Sequence, residues 1–247
     1  MESARVFIGF DSREPVAYHV LVNSIVRRAS IPVSFTPLVL AHLRRIFDRP
    51  RDPSQATEFA FSRFLVPYLS GYEGWSVFMD CDMLFLDDVA RLWALRDERY
   101  AVMVVKHEYE PSTSRKLFGD RQTAYAKKNW SSLILFNTPL CRTLSPQYLR
   151  TASGLALHQF QWLEREELIG ALPGPWNFLV GEYPRVSGQS NLHFTLGGPY
   201  IAGHDKGDFA DAWFAEYALA TSCDGRVVAL PQATGAGAPE SAGRGER

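Results

Sequence analysis

Two aspartates, Asp80 and Asp82, directly follow an apolar run of the sequence, Val77-Phe78-Met79. In an open α/β sheet the carboxyl ends of the strands line the ligand crevice. Positions i and i+2 of an extended backbone project to the same side, so both carboxylates can converge on one cation, directly or through a water. Carboxylate ligands suit magnesium or manganese better than softer metals. The pair therefore predicts a site for a hard divalent cation.

A simpler interpretation of the same residues is a solvated turn that continues through Asp87 and Asp88. An Asp-x-Asp triplet occurs often by chance. However, a second apolar run, 83–86, follows the triplet at once. A solvated turn is rarely enclosed by two apolar runs, and unpaired charge in a core is costly. The surrounding sequence therefore favours the cation site.

The elements that must position the pair alternate between strand-like and helix-like runs. Apolar runs predict strands at 6–10, 33–40, 75–79, 100–105 and 132–136. Helical spacing predicts a helix after Pro15, with Ala17, Val20, Leu21, Ser24 and Ile25 on one face, and further helices at 56–69, ending near Pro67, and at 156–169. The predicted fold class is α/β, with a mostly parallel central sheet flanked by helices.

Composition limits the class of protein. The chain has 247 residues and a net charge of −1, which fits one α/β domain and gives no electrostatic case for nucleic acid or an anionic membrane. Three dispersed cysteines argue against a disulfide framework. Neither a signal sequence nor an apolar segment of about 18 residues is recognisable, which predicts a cytoplasmic protein without a transmembrane segment. The Gly-, Ala- and Ser-rich segment 231–247 is predicted to be disordered.

Four segments in order resemble retaining glycosyltransferases of family eight, the group that contains glycogenin and bacterial galactosyltransferases. The strand ending in Asp-x-Asp is 77–82, and the upstream helix with an arginine is 61–69. The segment 129–137 is similar to an Asn-Ser-Gly-like entry into a strand. The last piece, His193 followed by Phe and a glycine turn, lies in 193–200. The resemblance covers roughly residues 5–200.

This resemblance implies a GT-A fold, a Rossmann-like nucleotide-binding sheet joined to an acceptor-binding part. Residues 1–230 would form one catalytic domain, with a nucleotide-binding half at about 1–105 and an acceptor-side half at about 106–230. The family transfers a sugar, here of the hexosyltransferase class, from a nucleotide diphosphate sugar, commonly a UDP-sugar, with retention at the anomeric carbon. It uses manganese or magnesium, and the matching ligands are Asp80, Asp82 and His193.

Without the resemblance, a lone histidine beside a phenylalanine is more often a core or surface residue than a metal ligand. Arg63 could bind the donor diphosphate, hold Asp80, or pair with Glu58 across its helix. By the resemblance, Asp11 would lie near the base and ribose of the donor. The glycines of the pair Gly197-Gly198 could let backbone N–H groups approach the diphosphate.

Catalytic residues are suggested by a departure from the family pattern. Where the family has an Asp-Gln pair near the donor sugar, this sequence has His158-Gln159. Gln159 is the first candidate for a polar group over the anomeric centre, and His158 is the second. Front-side attack by the acceptor, assisted by the departing phosphate, would leave catalysis to positioning and electrostatics. The lysine that family members carry after the glycine turn is missing, and Lys206 is the nearest.

The acceptor is expected to be a glycan or another hydroxyl compound. An aromatic cluster could form its platform, because flat rings stack on sugars, or could simply be core packing. The cluster consists of Trp162, the segment 175–178 and Tyr183.

Two further functions stay open. A non-catalytic nucleotide-sugar or glycan-binding protein on the same scaffold would explain the missing lysine. A haloacid-dehalogenase-like phosphatase also has Asp-x-Asp after an apolar strand, although Leu84 stands where that class usually has Thr or Val.

Overall fold

The computed structural model describes residues 3–50, 55–108, 126–223 and 226–227. The strands within these ranges are β1 (Ala4–Phe10), β2 (Val33–Val39), β3 (Trp75–Met79), β4 (Met83–Phe85), β5 (Val102–Val105), β6 (Leu133–Asn137), β7 (Ile169–Leu172), β8 (Phe178–Leu179), β9 (Asn191–His193), β10 (Ser222–Cys223) and β11 (Arg226–Val227). The α-helices are α1 (Pro15–Val26), α2 (Val66–Leu69), α3 (Val89–Trp93), α4 (Pro146–Thr151), α5 (Gly154–His158) and α6 (Ala210–Ala220).

Six strands form the central sheet in the order β2-β1-β3-β6-β5-β7. Strand β1 is parallel to β2 and β3, and β5 is parallel to β7, whereas β6 runs antiparallel to both β3 and β5. Helices α1 and α3 pack on β1, and α2 packs on β3 and β6. The predicted fold class, a mostly parallel sheet flanked by helices, is confirmed.

The core follows the apolar runs of the sequence. Every residue of β3 and β6 is buried, as expected for continuous apolar strands in the middle of a covered sheet. The five predicted strands are all present, with ends within two residues of the prediction. Helix α1 has Pro15 in its first turn and buries the face that its spacing predicted.

Two predicted helices are wrong. Segment 56–69 consists of turns, a 3-10 turn at Ser62–Leu65 and the single-turn helix α2. Pro67 lies at the start of α2 and not at its end, because the first turn of a helix does not need the missing N–H. The predicted helix 156–169 ends early, since Phe160 has a left-handed φ of 58°, and Ile169 begins strand β7.

One edge of the central sheet collects the polar residues. Strands β1, β3, β5 and β7 end at this edge and β6 begins there, as their parallel and antiparallel pairings require. Asp11, Asp80 and His107 follow three of these strands, and the turn 129–132 precedes β6. A second sheet, β4-β9-β8, carries His193 at the end of β9. The crevice expected at the carboxyl ends of the strands is therefore where the predicted acids lie.

The predicted disordered segment 231–247 lies outside the described residues. Cys81 and Cys141 are buried thiols. Within the part of the chain that the structure describes, no helix has both the length and the apolar character needed to cross a bilayer.

Candidate metal and donor site

Asp80, Asp82 and His193 meet at the edge of the sheet, and their ligand atoms lie within 4.8 Å of one another. Nε2 of His193 is 3.4 Å from Oδ1 of Asp82 and 4.0 Å from Oδ2 of Asp80. The histidine is buried, whereas the Asp82 side chain keeps 18% of its surface exposed. Two carboxylates and an imidazole form a donor set that fits manganese or magnesium. The three side chains that the sequence analysis grouped are thus close enough to share one cation.

The two acids converge through a turn and not through extended backbone. Residues 80–82 connect β3 to β4 directly, and β4 pairs antiparallel with β9 so that Met83 lies opposite His193. The backbone N–H of Phe194 donates to the carbonyl of Asp82 at 2.9 Å. The pairing of two three-residue strands, whose paired residues lie 106 to 110 positions apart in the chain, brings the histidine to the acids.

Arg63 holds Asp80 in place. Its Nη1 lies 2.9 Å from Oδ1 of Asp80 and donates to the carbonyl of Ser131 at 2.8 Å, with both ion-pair side chains largely buried. Glu58, the alternative partner, instead accepts a 2.6 Å hydrogen bond from the Ser12 hydroxyl. Of the three roles considered for Arg63, the contacts favour support of Asp80, and the Glu58 pairing is wrong.

Asp11 is buried and accepts hydrogen bonds from Arg13 in the turn that follows β1. Its carboxylate accepts two side-chain hydrogen bonds from Arg13, at 2.9 and 2.8 Å, and one from the backbone N–H of Glu58 at 3.2 Å. Burial by itself raises the pKa of Asp11, but the hydrogen bonds and charge of Arg13 outweigh it and hold the pKa below its ordinary value. Arg13 also donates to the carbonyl of Ala56 at 2.6 Å. Asp11 therefore positions Arg13 at the end of β1.

Glu14 is a site residue that the sequence analysis missed. It occupies the N-cap position of α1 without capping the helix, and its carboxylate turns inward. The Tyr200 hydroxyl donates to its Oε2 at 2.5 Å, and Sγ of Cys81 lies 3.8 Å from its Oε1. Burial and the charge of Asp82 raise the pKa of Glu14 to about 8 in spite of the Tyr200 hydrogen bond. The group behind the acid pair is thus a neutral carboxylic acid at pH 7.

Stability of the metal-free protein should depend on pH through Glu14. Below its ordinary pKa of 4.5 the group is protonated in both states, and between that value and about 8 only the unfolded chain releases the proton. The free energy of unfolding therefore falls as pH rises through this window and levels off above it. Glu14→Gln keeps an acceptor for Tyr200 and removes this fall, so it should stabilise the protein by about 4–5 kcal/mol at pH 9 but by only about 1 kcal/mol at pH 5.

Urea unfolding at the two pH values measures this difference. Glu167→Gln, at an exposed carboxylate, is the matched control and should behave as the wild type at both. Equal stabilisation by Glu14→Gln at pH 5 and pH 9 would contradict a raised pKa.

The glycine turn packs against Tyr200. A Cβ on Gly198 would lie 2.1 Å from the Tyr200 ring, so only glycine lets this ring reach Glu14. Gly197 has a φ of 125°, and its N–H donates to the carbonyl of Phe194 at 2.8 Å. These contacts explain both glycines structurally, and their predicted approach to the diphosphate stays a prediction.

The two candidate catalytic residues lie at the end of helix α5, where His158 is the last helical residue and Gln159 is the C-cap. Nδ1 of His158 lies 2.7 Å from the Ser131 hydroxyl, and the Ser131 carbonyl is the one that Arg63 binds, so His158 is linked to Asp80 through two residues. Gln159 accepts a 2.9 Å hydrogen bond from the Gln161 side chain, and Lys127 donates to its carbonyl at 3.2 Å. The structure therefore connects His158 to the acid pair more directly than Gln159.

The aromatic cluster is mostly core. Trp162, Trp176 and Phe178 are each at most 6% exposed, which confirms core packing over an acceptor platform for these three rings. The half-buried Tyr183 places its hydroxyl 3.1 Å from Nδ1 of His107. Burial, to which repulsion by a protonated His193 would add, lowers the pKa of His107 to about 3, so the His107 imidazole is neutral beside the site.

Asn177 is the second residue whose role sequence reasoning missed. It is fully buried, and its Oδ1 lies 3.0 Å from Nδ1 of His193. The available signal was an amide inside an aromatic run, Trp176-Asn177-Phe178, where a polar group needs buried partners. For Glu14 the available signal was its place directly before Pro15, at the start of a predicted helix, because glutamate is not among the residues that commonly cap helices.

Comparison with known proteins gives one curated relative at high identity. Protein CDI of Arabidopsis thaliana is 45% identical over 221 residues, which cover 86% of this chain and 85% of that protein. No protein-family model matches the sequence.

Solved structures with the same fold are glycosyltransferases. The apo bifunctional glycosyltransferase WbbM is similar with a TM-score of 0.62 at 17% identity, covering 87% of this chain and 50% of that one. The glycosyltransferase GlyE of Streptococcus pneumoniae TIGR4 has a TM-score of 0.58 at 12% identity, covering 88% and 60%. The galactosyltransferase LgtC, solved with donor and acceptor sugar analogues, has a TM-score of 0.52 at 11% identity, covering 92% and 98%. The chain thus has a GT-A fold, and it spans about half of WbbM and three-fifths of GlyE.

Proposed function

The chain belongs to the family of Protein CDI of Arabidopsis thaliana, and from this premise and its GT-A fold we propose that it is a metal-dependent glycosyltransferase using a nucleotide sugar. The observation that carries the proposal is the meeting of Asp80, Asp82 and His193 at the carboxyl ends of the sheet strands. That edge is where ligands of open α/β sheets bind. A donor diphosphate placed there would face both acids across a shared cation.

The donor set supports manganese, with magnesium as the second candidate, because both accept carboxylate oxygens and manganese also accepts imidazole. When bound, this cation would act as a Lewis acid on the departing diphosphate. Arg63 keeps one oxygen of Asp80 engaged, which aims the other at His193. The protein's own part in binding is thus one carboxylate held by Arg63, with a second carboxylate and an imidazole beside it.

Residue roles around the donor follow from the contacts. Asp11 would act on the base or ribose through Arg13, which it orients. The pair Gly197-Gly198 would admit the diphosphate beside Tyr200. His158 and Gln159 remain the proposed polar groups near the anomeric centre, with His158 held by Ser131. We propose retention through front-side attack, in which these residues position the reactants and no enzyme nucleophile is needed.

The finer assignment rests on the resemblance to family eight. It comprises a UDP-sugar donor, the hexosyltransferase class, a glycan or other hydroxyl acceptor, and a division of the domain near residue 105. The cytoplasmic location stays a prediction from the sequence pattern.

A nucleotide-sugar screen with and without manganese tests the proposal. A donor that binds only the folded state should raise the melting temperature, since ligand at 100 times its dissociation constant adds about 2.7 kcal/mol to the free energy of unfolding. The same samples should release nucleoside diphosphate when manganese is present. Binding without release would identify the non-catalytic alternative. Hydrolysis of p-nitrophenyl phosphate that is lost in Asp80→Asn would identify the phosphatase alternative.

A further inference from the structure

His193 presents its two ring nitrogens to different groups. Nε2 faces the acid pair, 3.4 Å from Asp82 and 4.0 Å from Asp80. Nδ1 lies on the other side of the ring, 3.0 Å from Oδ1 of Asn177. Both His193 and Asn177 are at most 2% exposed. A neutral imidazole carries a proton on one nitrogen only, so the partner of Nδ1 decides which nitrogen holds a lone pair.

The orientation of the Asn177 amide follows from its other partners. Its Nδ2 lies 2.8 Å from Oγ of Ser132 and 3.4 Å from the carbonyl of Asn129. A carbonyl oxygen only accepts, and the Ser132 hydroxyl already donates to that same carbonyl at 2.7 Å. The NH2 group must therefore point at Ser132 and Asn129. The oxygen is left facing His193, where it can only accept a hydrogen bond, which Nδ1–H must donate.

We propose that Asn177 is a positioning residue that keeps the proton on Nδ1 of His193, so that Nε2 is the nitrogen left to bind a cation shared with Asp80 and Asp82. Metal-bound histidines generally donate their second ring N–H to a fixed acceptor, which sets both tautomer and ring orientation. Asn177 supplies that acceptor before any cation arrives. The inference rests on the proposed function, because it assumes that Nε2 is a ligand of a divalent cation.

The same short turn holds Asp80. The backbone N–H of Asp80 donates to the carbonyl of Ser132 at 2.9 Å, and Arg63 binds the carbonyl of Ser131 at 2.8 Å. Asn129, which begins the turn, has a left-handed φ of 61°. Asn177 thus ties His193 to the backbone segment that positions Asp80, so a shift of the turn would move both ligands together.

The tautomer can be read directly in the metal-free protein. Selective ¹⁵N labelling of the six histidines, with His193→Gln used to identify the His193 signals, distinguishes a protonated ring nitrogen from one with a lone pair. We expect a protonated Nδ1 for His193 in the wild type. Asn177→Leu should lower the protonated fraction of Nδ1, whereas Asn177→Asp, which keeps an acceptor oxygen, should retain Nδ1–H. An unprotonated Nδ1 in the wild type would overturn the proposal.

Manganese affinity gives the second measurement, by titration of the free ion without nucleotide. Loss of a partner in the outer shell of a metal site typically weakens binding about 10- to 100-fold, and we expect this for Asn177→Leu. Asn137→Leu is the matched control, since Asn137 is equally buried at the far end of β6 and binds Glu98 at 3.0 Å. Asn177→Leu with wild-type affinity would overturn the positioning role. A wild type that binds no manganese defeats the proposed function instead, and the tautomer result still decides this inference.

Discussion

Asp82→Asn should reduce manganese-dependent sugar transfer by about 10³-fold while the metal-free protein becomes more stable. The loss follows because the cation loses one of two carboxylates, and Lewis-acid stabilisation of a departing diphosphate is worth several kcal/mol, at about 1.4 kcal/mol per tenfold in rate. The gain follows because the charge of Asp82 is among the causes that raise the pKa of Glu14. An isosteric neutral side chain lowers the pKa of Glu14, so that keeping this carboxyl group protonated at pH 7 destabilises the fold less, and it leaves no cavity.

Nucleoside diphosphate release and melting temperature, measured on the same preparations, separate the two effects. Asp97→Asn is the control, because Asp97 forms an exposed ion pair with Arg99 away from the sheet edge, and it should change neither quantity. Manganese-stimulated release at the wild-type rate in Asp82→Asn would refute the assignment of the metal site. Lost activity together with a lowered melting temperature would show that Asp82 supports the fold, contrary to this prediction.

Arg63→Met should lower the free energy of unfolding by about 3–5 kcal/mol, because it leaves the buried charge of Asp80 uncompensated. The Ser131 carbonyl loses its donor at the same time. The guanidinium carbon also lies 5.3 Å and 5.0 Å from the ring centroids of Phe59 and Phe78, so the variant loses these cation–π contacts too. Methionine keeps an unbranched apolar chain in place of the arginine stem, which limits the cavity. A cation at Asp80 would supply the missing positive charge, so manganese should raise the melting temperature of the variant more than that of the wild type.

Chemical unfolding with and without manganese measures both parts of this prediction. Arg27→Met is the matched control, since the Arg27 side chain is 43% exposed and Glu216 keeps Arg28 at 2.9 Å when Arg27 is lost. Glu216 is buried, but because Arg27 is partly exposed and Arg28 stays in place, we expect the loss of Arg27 to cost about 1 kcal/mol. If Arg63→Met unfolds at the same urea concentration as Arg27→Met, Arg63 does not hold Asp80 in the way its distances indicate.

Local patterns were sufficient for the strands and for α1. A continuous apolar run such as Val77-Phe78-Met79 has few alternatives to a buried strand, because both of its faces must be covered. Helix α1 was predictable since its buried positions repeat at helical spacing. The helix predicted at 156–169 failed because apolar spacing does not register a left-handed residue such as Phe160, which ends α5.

Some residues of the site could likewise be predicted from local sequence, whereas the roles of others depended on the tertiary structure. An acid pair behind an apolar strand points to a cation from sequence, because a strand end and two carboxylates are local features. His193 was added by resemblance alone, and β4–β9 pairing is the physical reason that it reaches Asp82. The partner of Arg63 was left open by the sequence, and the structure favours Asp80.

Glu14 and Asn177 became recognisable only in the folded chain. Glu14 bonds Tyr200 across 186 positions, and Asn177 bonds Ser132 across 45. Composition and periodicity report which side chains are buried and how the backbone repeats, and these local properties determined the sheet, α1 and the acid pair. Hydrogen bonds between distant segments depend on how the strands are ordered in the sheet, so the raised pKa of Glu14 and the amide facing His193 were decided by tertiary packing.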